Sequence, residues 1–103
     1  MIEEIKQILE YRNSLAIQAK QQYEPIVEHL IASRNSDSNK IRYTLDFMLD
    51  FCFDKEMMEL YRKLCRYLYT FDPNSAAFYA KSYFEMYEED KLESENDKGE
   101  ETI

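Results

Sequence analysis

Residue types that carry metal or covalent chemistry are scarce in this chain. It has one histidine, His29, and two cysteines, Cys52 and Cys65. Di-metal sites in helical bundles use a glutamate three residues before a histidine, and that position holds Ile26. One histidine and two cysteines are also too few for a closed zinc site, and no serine has a recognisable partner nearby. We therefore predict no catalytic residue, no cofactor and no metal, and we expect that the protein is not an enzyme.

Cys52 and Cys65 lie on predicted apolar helix faces, where a free cysteine behaves as a small hydrophobic residue. The first residues, Met-Ile-Glu-Glu, do not begin a secretory signal. No apolar run approaches the roughly 20 residues that span a membrane. We expect a cytoplasmic protein with reduced thiols.

Glycine is nearly absent, since Gly99 is the only one. Two-residue β-hairpin turns and phosphate-binding loops both depend on glycine. The sequence therefore predicts an all-α protein. It contains no P-loop, no dinucleotide-binding motif and no nucleophile elbow.

Acidic charge is concentrated at the carboxyl-terminal end. Residues 1–84 carry 12 acidic and 11 basic side chains, whereas residues 85–103 carry nine acidic and two basic ones. A nearly neutral body does not favour direct binding to nucleic acid, which requires a basic face. We predict a helical bundle domain over residues 1–89 and a disordered acidic tail over residues 90–103.

The first predicted helix is long and covers residues 2–33. Its apolar residues follow a heptad spacing, which permits a homodimer through this helix. Pro25 lies inside the pattern, so either one helix bends there or a second helix begins there. We favour one kinked helix because the pattern keeps its phase through the proline.

Three shorter helices are predicted over residues 39–53, 55–70 and 73–89, which completes a bundle of about four helices. Aspartate or serine side chains precede each of them as candidate caps, namely Asp37 or Ser38, Asp54, and Asp72. The predicted core is Ile5, Leu9, Ile26, Leu30, Ile41, Leu45, Met48, Cys52, Met57, Tyr61, Leu64, Leu68, Ala80, Phe84 and Tyr87.

Residues 69–79, Tyr-Thr-Phe-Asp-Pro-Asn-Ser-Ala-Ala-Phe-Tyr, resemble the junction between tetratricopeptide repeats, where an Asp-Pro-Asn turn joins one helix pair to the next. Leu49, Tyr61 and Tyr83 stand where that family has small residues. A solenoid also needs about three repeats, and this chain is long enough for at most one and a half. The resemblance covers the turn alone, and we do not assign the chain to the family.

Two groups of side chains are candidate partner-binding residues. Tyrosine is enriched at protein interfaces, and three tyrosines repeat every four residues on the fourth predicted helix. Basic side chains among aromatic ones suit contact with nucleic acid or with an acidic segment, although they are also typical of a solvated helix face. The candidates are Tyr79, Tyr83 and Tyr87, the basic residues Arg62, Lys63 and Arg66, and the acidic residues Glu88 and Glu89.

The sequence leaves three functions open. The leading hypothesis is a small non-catalytic protein–protein interaction or adaptor module. The alternative is an inhibitor from a phage or mobile element, which would use its acidic tail to compete for a basic nucleic-acid-binding site on its target. The third is a weak nucleic-acid binder that uses Arg62, Lys63 and Arg66.

Overall fold

A computed structural model describes residues 2–88 of the chain. These residues form four α-helices and a π-helical segment, with no strand among them, which confirms the all-α prediction. The predicted disorder of residues 90–103 lies outside the described residues. The elements are α1 (Ile2–Ala32), α2 (Ser38–Leu49), α3 (Lys55–Tyr69), α4 (Pro73–Tyr83) and the π-helical segment (Phe84–Glu88).

Successive helices run in alternating directions, and α3 contacts all three of the others. Lys20 Nζ in α1 lies 3.2 Å from Glu56 Oε2 in the first turn of α3. The Tyr67 hydroxyl, near the end of α3, donates to the carbonyl oxygen of Asn35 at 2.6 Å, just beyond α1. These two contacts show that α1 and α3 run in the same direction, while α2 returns between them.

α1 is one continuous helix that includes Pro25, so the alternative in which a second helix begins at that proline is wrong. The helix ends at Ala32, and Arg34, two residues beyond it, has a φ of 53°. The backbone N–H of Asn35 donates to Leu30 O at 3.0 Å, and the N–H of Arg34 donates to Ile31 O at 3.1 Å. This pattern is a Schellman motif, formed here without the usual glycine.

Each of the three later helices begins after an aspartate cap, as predicted. A carboxylate that accepts a backbone N–H at a helix start contributes about 1 kcal/mol. The bonds join Asp37 Oδ1 to Lys40 N at 3.3 Å, Asp54 Oδ2 to Met57 N at 3.0 Å, and Asp72 Oδ1 to Ser75 N at 3.2 Å.

Two helices end earlier than the sequence predicts. α2 stops at Leu49, because the chain tightens into turns in which Phe51 N donates to Met48 O at 3.0 Å. α4 stops at Tyr83 and widens into the π-helical segment. Within that segment the Tyr87 hydroxyl donates to Leu49 O at 2.7 Å, which ties the end of the described chain to the end of α2.

All predicted core residues that lie in α2 and α3 are buried, as predicted. Nine of the predicted side chains are buried, and α3 contributes the largest share through its inward stripe. The buried members of the predicted set are Leu30, Ile41, Leu45, Met48, Cys52, Met57, Tyr61, Leu64 and Leu68.

Five predicted core residues are wrong, since Ile5, Leu9, Ile26, Ala80 and Phe84 are exposed. Ile5 and Leu9 precede the part of α1 that packs on other helices. Ile26 and Ala80 miss the inward face by one residue, because Val27 and Tyr79 are the buried residues there. Phe84 begins the π-helical segment, in which no residue is buried. Tyr87, the remaining member of the predicted set, is half-buried.

Three tyrosine hydroxyls join helices to backbone carbonyls that are distant in sequence. Besides Tyr67 and Tyr87, Tyr61 is almost fully buried and donates to the carbonyl oxygen of Tyr79 at 2.7 Å, which ties α3 to α4. Burial of the Tyr61 hydroxyl raises its pKa well above the ordinary value, so the group remains a donor at neutral pH.

We expect Tyr61→Phe to lower the free energy of unfolding by about 1 kcal/mol, because it removes one buried hydrogen bond without changing the shape of the ring. Tyr43→Phe removes the same atom from an exposed ring and serves as the control. The measurement is urea unfolding followed by circular dichroism. Equal stability of the two variants would contradict the role given to the Tyr61 hydroxyl.

Candidate functional site: the amino-terminal arm

The amino-terminal part of α1, residues 2–14, is the candidate functional site, and we call it the arm. Every side chain in it is exposed. At 1.5 Å per residue the arm is about 20 Å long. An isolated helix shorter than about 12–15 residues is marginal in water and normally needs packing to be stable. Because its side chains are all exposed, the arm lacks that packing.

One face of the arm is apolar. Ile2, Ile5, Ile8 and Leu9 are 85%, 57%, 65% and 51% exposed, and we call these four residues the arm stripe. They follow the i, i+3, i+4, i+7 spacing that brings side chains onto one helix face. Contiguous exposed aliphatic side chains of this kind mark interaction surfaces in soluble proteins.

The arm meets the remainder of the protein at Arg12. The guanidinium carbon of Arg12 lies 3.8 Å from the centre of the Phe53 ring, in the turn between α2 and α3. This is a cation–π contact, worth about 0.5–1 kcal/mol at an exposed site. From Ala16 onward, which is fully buried, α1 belongs to the packed body.

Sequence reasoning allowed a homodimer through the first helix, but it placed Ile5 and Leu9 in the core and therefore did not locate the contact surface in the arm. A signal was nevertheless present in the helix lengths. α1 has 31 residues, whereas α3, the helix it packs against, has 15. Two helices that run side by side can cover each other only over the length of the shorter one.

The predicted tyrosines serve mainly to hold α4 and the π-helical segment on α3. Tyr79 is 3% exposed, and Tyr83 and Tyr87 are half-buried. The Tyr83 hydroxyl donates to Glu88 Oε1 at 2.9 Å. The rings of Tyr61 and Tyr83 lie 6.1 Å apart, and those of Tyr83 and Tyr87 lie 5.4 Å apart.

Arg62 and Arg66 line a groove between α3 and α4 with a volume of about 630 Å³. Tyr83 and Glu88 also line it, so the structure brings four of the predicted residues together. Burial, together with the hydrogen bond to Glu88, raises the pKa of Tyr83 to about 12. The groove therefore combines two guanidinium groups, aromatic rings and one carboxylate.

Lys63 lies apart from that groove. With Arg66 it lines a second groove of about 400 Å³ between α1 and α3. Four carboxylates surround that groove, so its charge is acidic overall. The three basic residues thus do not form one continuous basic surface. The second groove also contains Lys20, Glu24, Glu28, Glu56, Glu59 and Leu60.

The remaining predicted residue, Glu89, lies outside the described residues. The inhibitor hypothesis depends on that residue and on the acidic segment after it, so it stays a prediction. Direct binding to nucleic acid through Arg62, Lys63 and Arg66 also stays a prediction, and the separation of Lys63 from the other groove weakens its basis.

The two cysteines are free and buried. Burial raises the pKa of the Cys52 thiol to about 12, and it does the same for the Cys65 thiol, which also packs against Tyr61. Both thiols are therefore protonated at neutral pH. Because the thiolate is the reactive form, these cysteines are unreactive in the folded protein.

Residues 2–88 contain no group of three or more His, Cys, Asp or Glu side chains placed to hold a metal ion. No helix in the same residues is both long and apolar enough to cross a bilayer. Comparison with protein-family models, with curated proteins and with solved structures finds no match to this chain.

The buried thiols predict a loss of stability at alkaline pH. Their pKa is about 12 in the folded protein and near 9.0 when they are exposed. Between these values the unfolded chain loses thiol protons that the folded chain retains, so the free energy of unfolding falls as pH rises from about 9 to about 12. Urea unfolding at a series of pH values measures this slope. The double variant Cys52→Ala, Cys65→Ala should show a shallower fall, and an unchanged slope would contradict the assignment.

Deleting residues 1–11 should leave the body folded. We expect the free energy of unfolding to change by less than about 1 kcal/mol, because more than half of each side chain in the arm stripe is already exposed. Leu30→Ala, at the packed end of the same helix, should cost about 3 kcal/mol. Urea unfolding at low protein concentration compares the two. A deletion as costly as Leu30→Ala would show that the arm stabilises the body.

Proposed function

We propose that this protein is a small non-catalytic protein–protein interaction module, and that the arm is its contact surface. The observation that carries the proposal is the arm stripe, which presents four large aliphatic side chains on one face of a helix that extends past the packed body. Helix faces with this spacing of apolar residues bind grooves or other helices through their side chains.

Two further features support an interaction role. An ordered helix costs about 1–2 kcal/mol of backbone entropy per residue, and within the described residues the arm stripe remains mostly exposed and offsets little of this cost. A partner that covers the stripe would offset more of it. The other faces of the arm carry charged side chains such as Glu3, Lys6 and Glu10, which suits a helix that is covered on one side and solvated on the other.

The arm also provides a matched pair of substitutions. Ile5 lies in the centre of the arm stripe, and Gln7 lies on the opposite face, two residues away. Ile5→Glu and Gln7→Glu each add one negative charge to the same helical turn. Both positions are exposed, so neither change should disturb the body.

The test is a tagged pull-down from a lysate of the source organism with three baits: the full chain, its Ile5→Glu variant and its Gln7→Glu variant. We expect a protein retained by the first and third baits and reduced at least about tenfold with Ile5→Glu, because a charge in the contact stripe would be buried without a partner. Equal retention by all three baits would overturn the arm as the contact surface. Hydrogen exchange of residues 2–14 with and without the captured protein provides an independent readout, since a bound arm should exchange more slowly.

A further inference from the structure

The arm stripe continues the same helix face that α1 buries in the body. Residues seven and 18 positions apart fall on nearly the same side of an α-helix, so Ile5, Arg12 and Tyr23 follow one line along α1. Tyr23 packs against the core, and Ala16 and Ala19 on the same face are 0% and 5% exposed. The body therefore occupies the face from Ala16 onward and leaves it open only along the arm.

We infer that the arm pairs with the arm of a second copy of this chain, in an antiparallel two-helix contact confined to residues 2–14. This inference rests on the proposed function and names the partner of the arm.

The covered part of α1 determines the direction of the pair. In a parallel pair, the partner helix would continue along the face of Ala16 and Ala19, where α3 and the rest of the body already pack. In an antiparallel pair, α1 of the second copy runs along the first arm and continues beyond the amino-terminal end of that arm. The body of the second copy therefore lies past that end and does not overlap the first body. Only the antiparallel arrangement keeps both bodies intact.

The spacing of the stripe also suits two antiparallel copies. Alternating heptad layers pair Ile5 of one copy with Leu9 of the other, and Ile2 with the Arg12 position. Each Arg12 then lies beside the first turn of the opposite arm, which carries Glu3 and Glu4. A parallel pair would instead place the Arg12 side chains of the two copies beside each other, and it would do the same with the two acidic first turns.

The contact area indicates a dimer of moderate strength. Stable interfaces bury about 800 Å² on each partner, and an 11-residue overlap of two helices, about 16 Å long, buries less than that. We expect a dissociation constant of about 10 µM. The partner helix would end near the edge of the body at Phe53, which adds to the contact.

Sedimentation velocity of the full chain, from about 1 µM to about 200 µM, should show a monomer converting to a dimer across the expected dissociation constant. Ile5→Glu should raise that constant at least about 100-fold, because the dimer would bury two like charges. Gln7→Glu should leave it unchanged. A wild-type monomer at every concentration, or equal dimerisation of the two variants, would overturn the inference.

Distances between nitroxide labels test the orientation. Gln7→Cys and Ser14→Cys place labels on the outer face of the arm, and the native thiols are buried and protonated, so they should not be labelled. In the antiparallel pair the two Gln7 positions lie opposite each other, while the two Ser14 positions are displaced by about 21 Å along the helices. Equal distances for both pairs would show a parallel dimer and overturn the antiparallel arrangement.

Failure of this inference can be distinguished from failure of the proposed function. If the wild-type chain is monomeric and a captured protein is lost with Ile5→Glu alone, the homodimer is overturned and the interaction module stands. If the chain is monomeric and all three baits retain the same proteins, both are overturned. A concentration-dependent dimer that only Ile5→Glu disrupts supports both.

Discussion

Burial of the apolar stripe of α3 is the interaction on which the rest of the fold depends. α3 contacts every other helix, and it supplies six buried side chains, more than any other element. Each neighbour packs against α3, so loss of a large buried residue such as Leu64 would weaken the core that these helices share. Packing on α3 holds the helices together. The aspartate caps and the Schellman motif fix where helices begin and end, and the tyrosine hydrogen bonds join neighbouring segments. They refine the arrangement, because each contributes about 1 kcal/mol and the buried side chains together contribute several times more.

The length of α3 also creates the arm. A 15-residue helix offers about 22 Å of packing surface, and α1 is about twice as long. The carboxyl-terminal half of α1 is covered by α3 and α2, and Arg12 on Phe53 marks the edge of that cover. Everything before it is a helix whose apolar face has no partner within the described residues. The candidate site thus follows from a mismatch in element length, and it needs no catalytic residue, pocket or cofactor.

The tyrosines show how one residue type can suggest two different roles. Their number and their four-residue spacing indicated a partner surface, yet Tyr79 is buried and the hydroxyls of Tyr61, Tyr67 and Tyr87 donate to backbone carbonyls. A tyrosine provides both an apolar ring and a donor, so it suits the edge of a small core as well as an interface. What separates the two roles is whether the hydroxyl reaches a protein acceptor, and that depends on segments 18 to 38 residues away in the chain.

The sequence by itself determined the helical class, the aspartate caps of α3 and α4 and most of the core in α2 and α3, and it favoured one helix through Pro25 over two. These are local properties, because spacing of apolar residues and capping act within one or two helical turns. It could not determine which stretch of the long apolar face of α1 is covered. Leu9 and Leu30 have the same place in the heptad pattern and opposite environments, since they are 51% and 1% exposed. Tertiary structure alone decided this difference, since burial depends on where the neighbouring helices begin and end, and no residue within α1 carries that information.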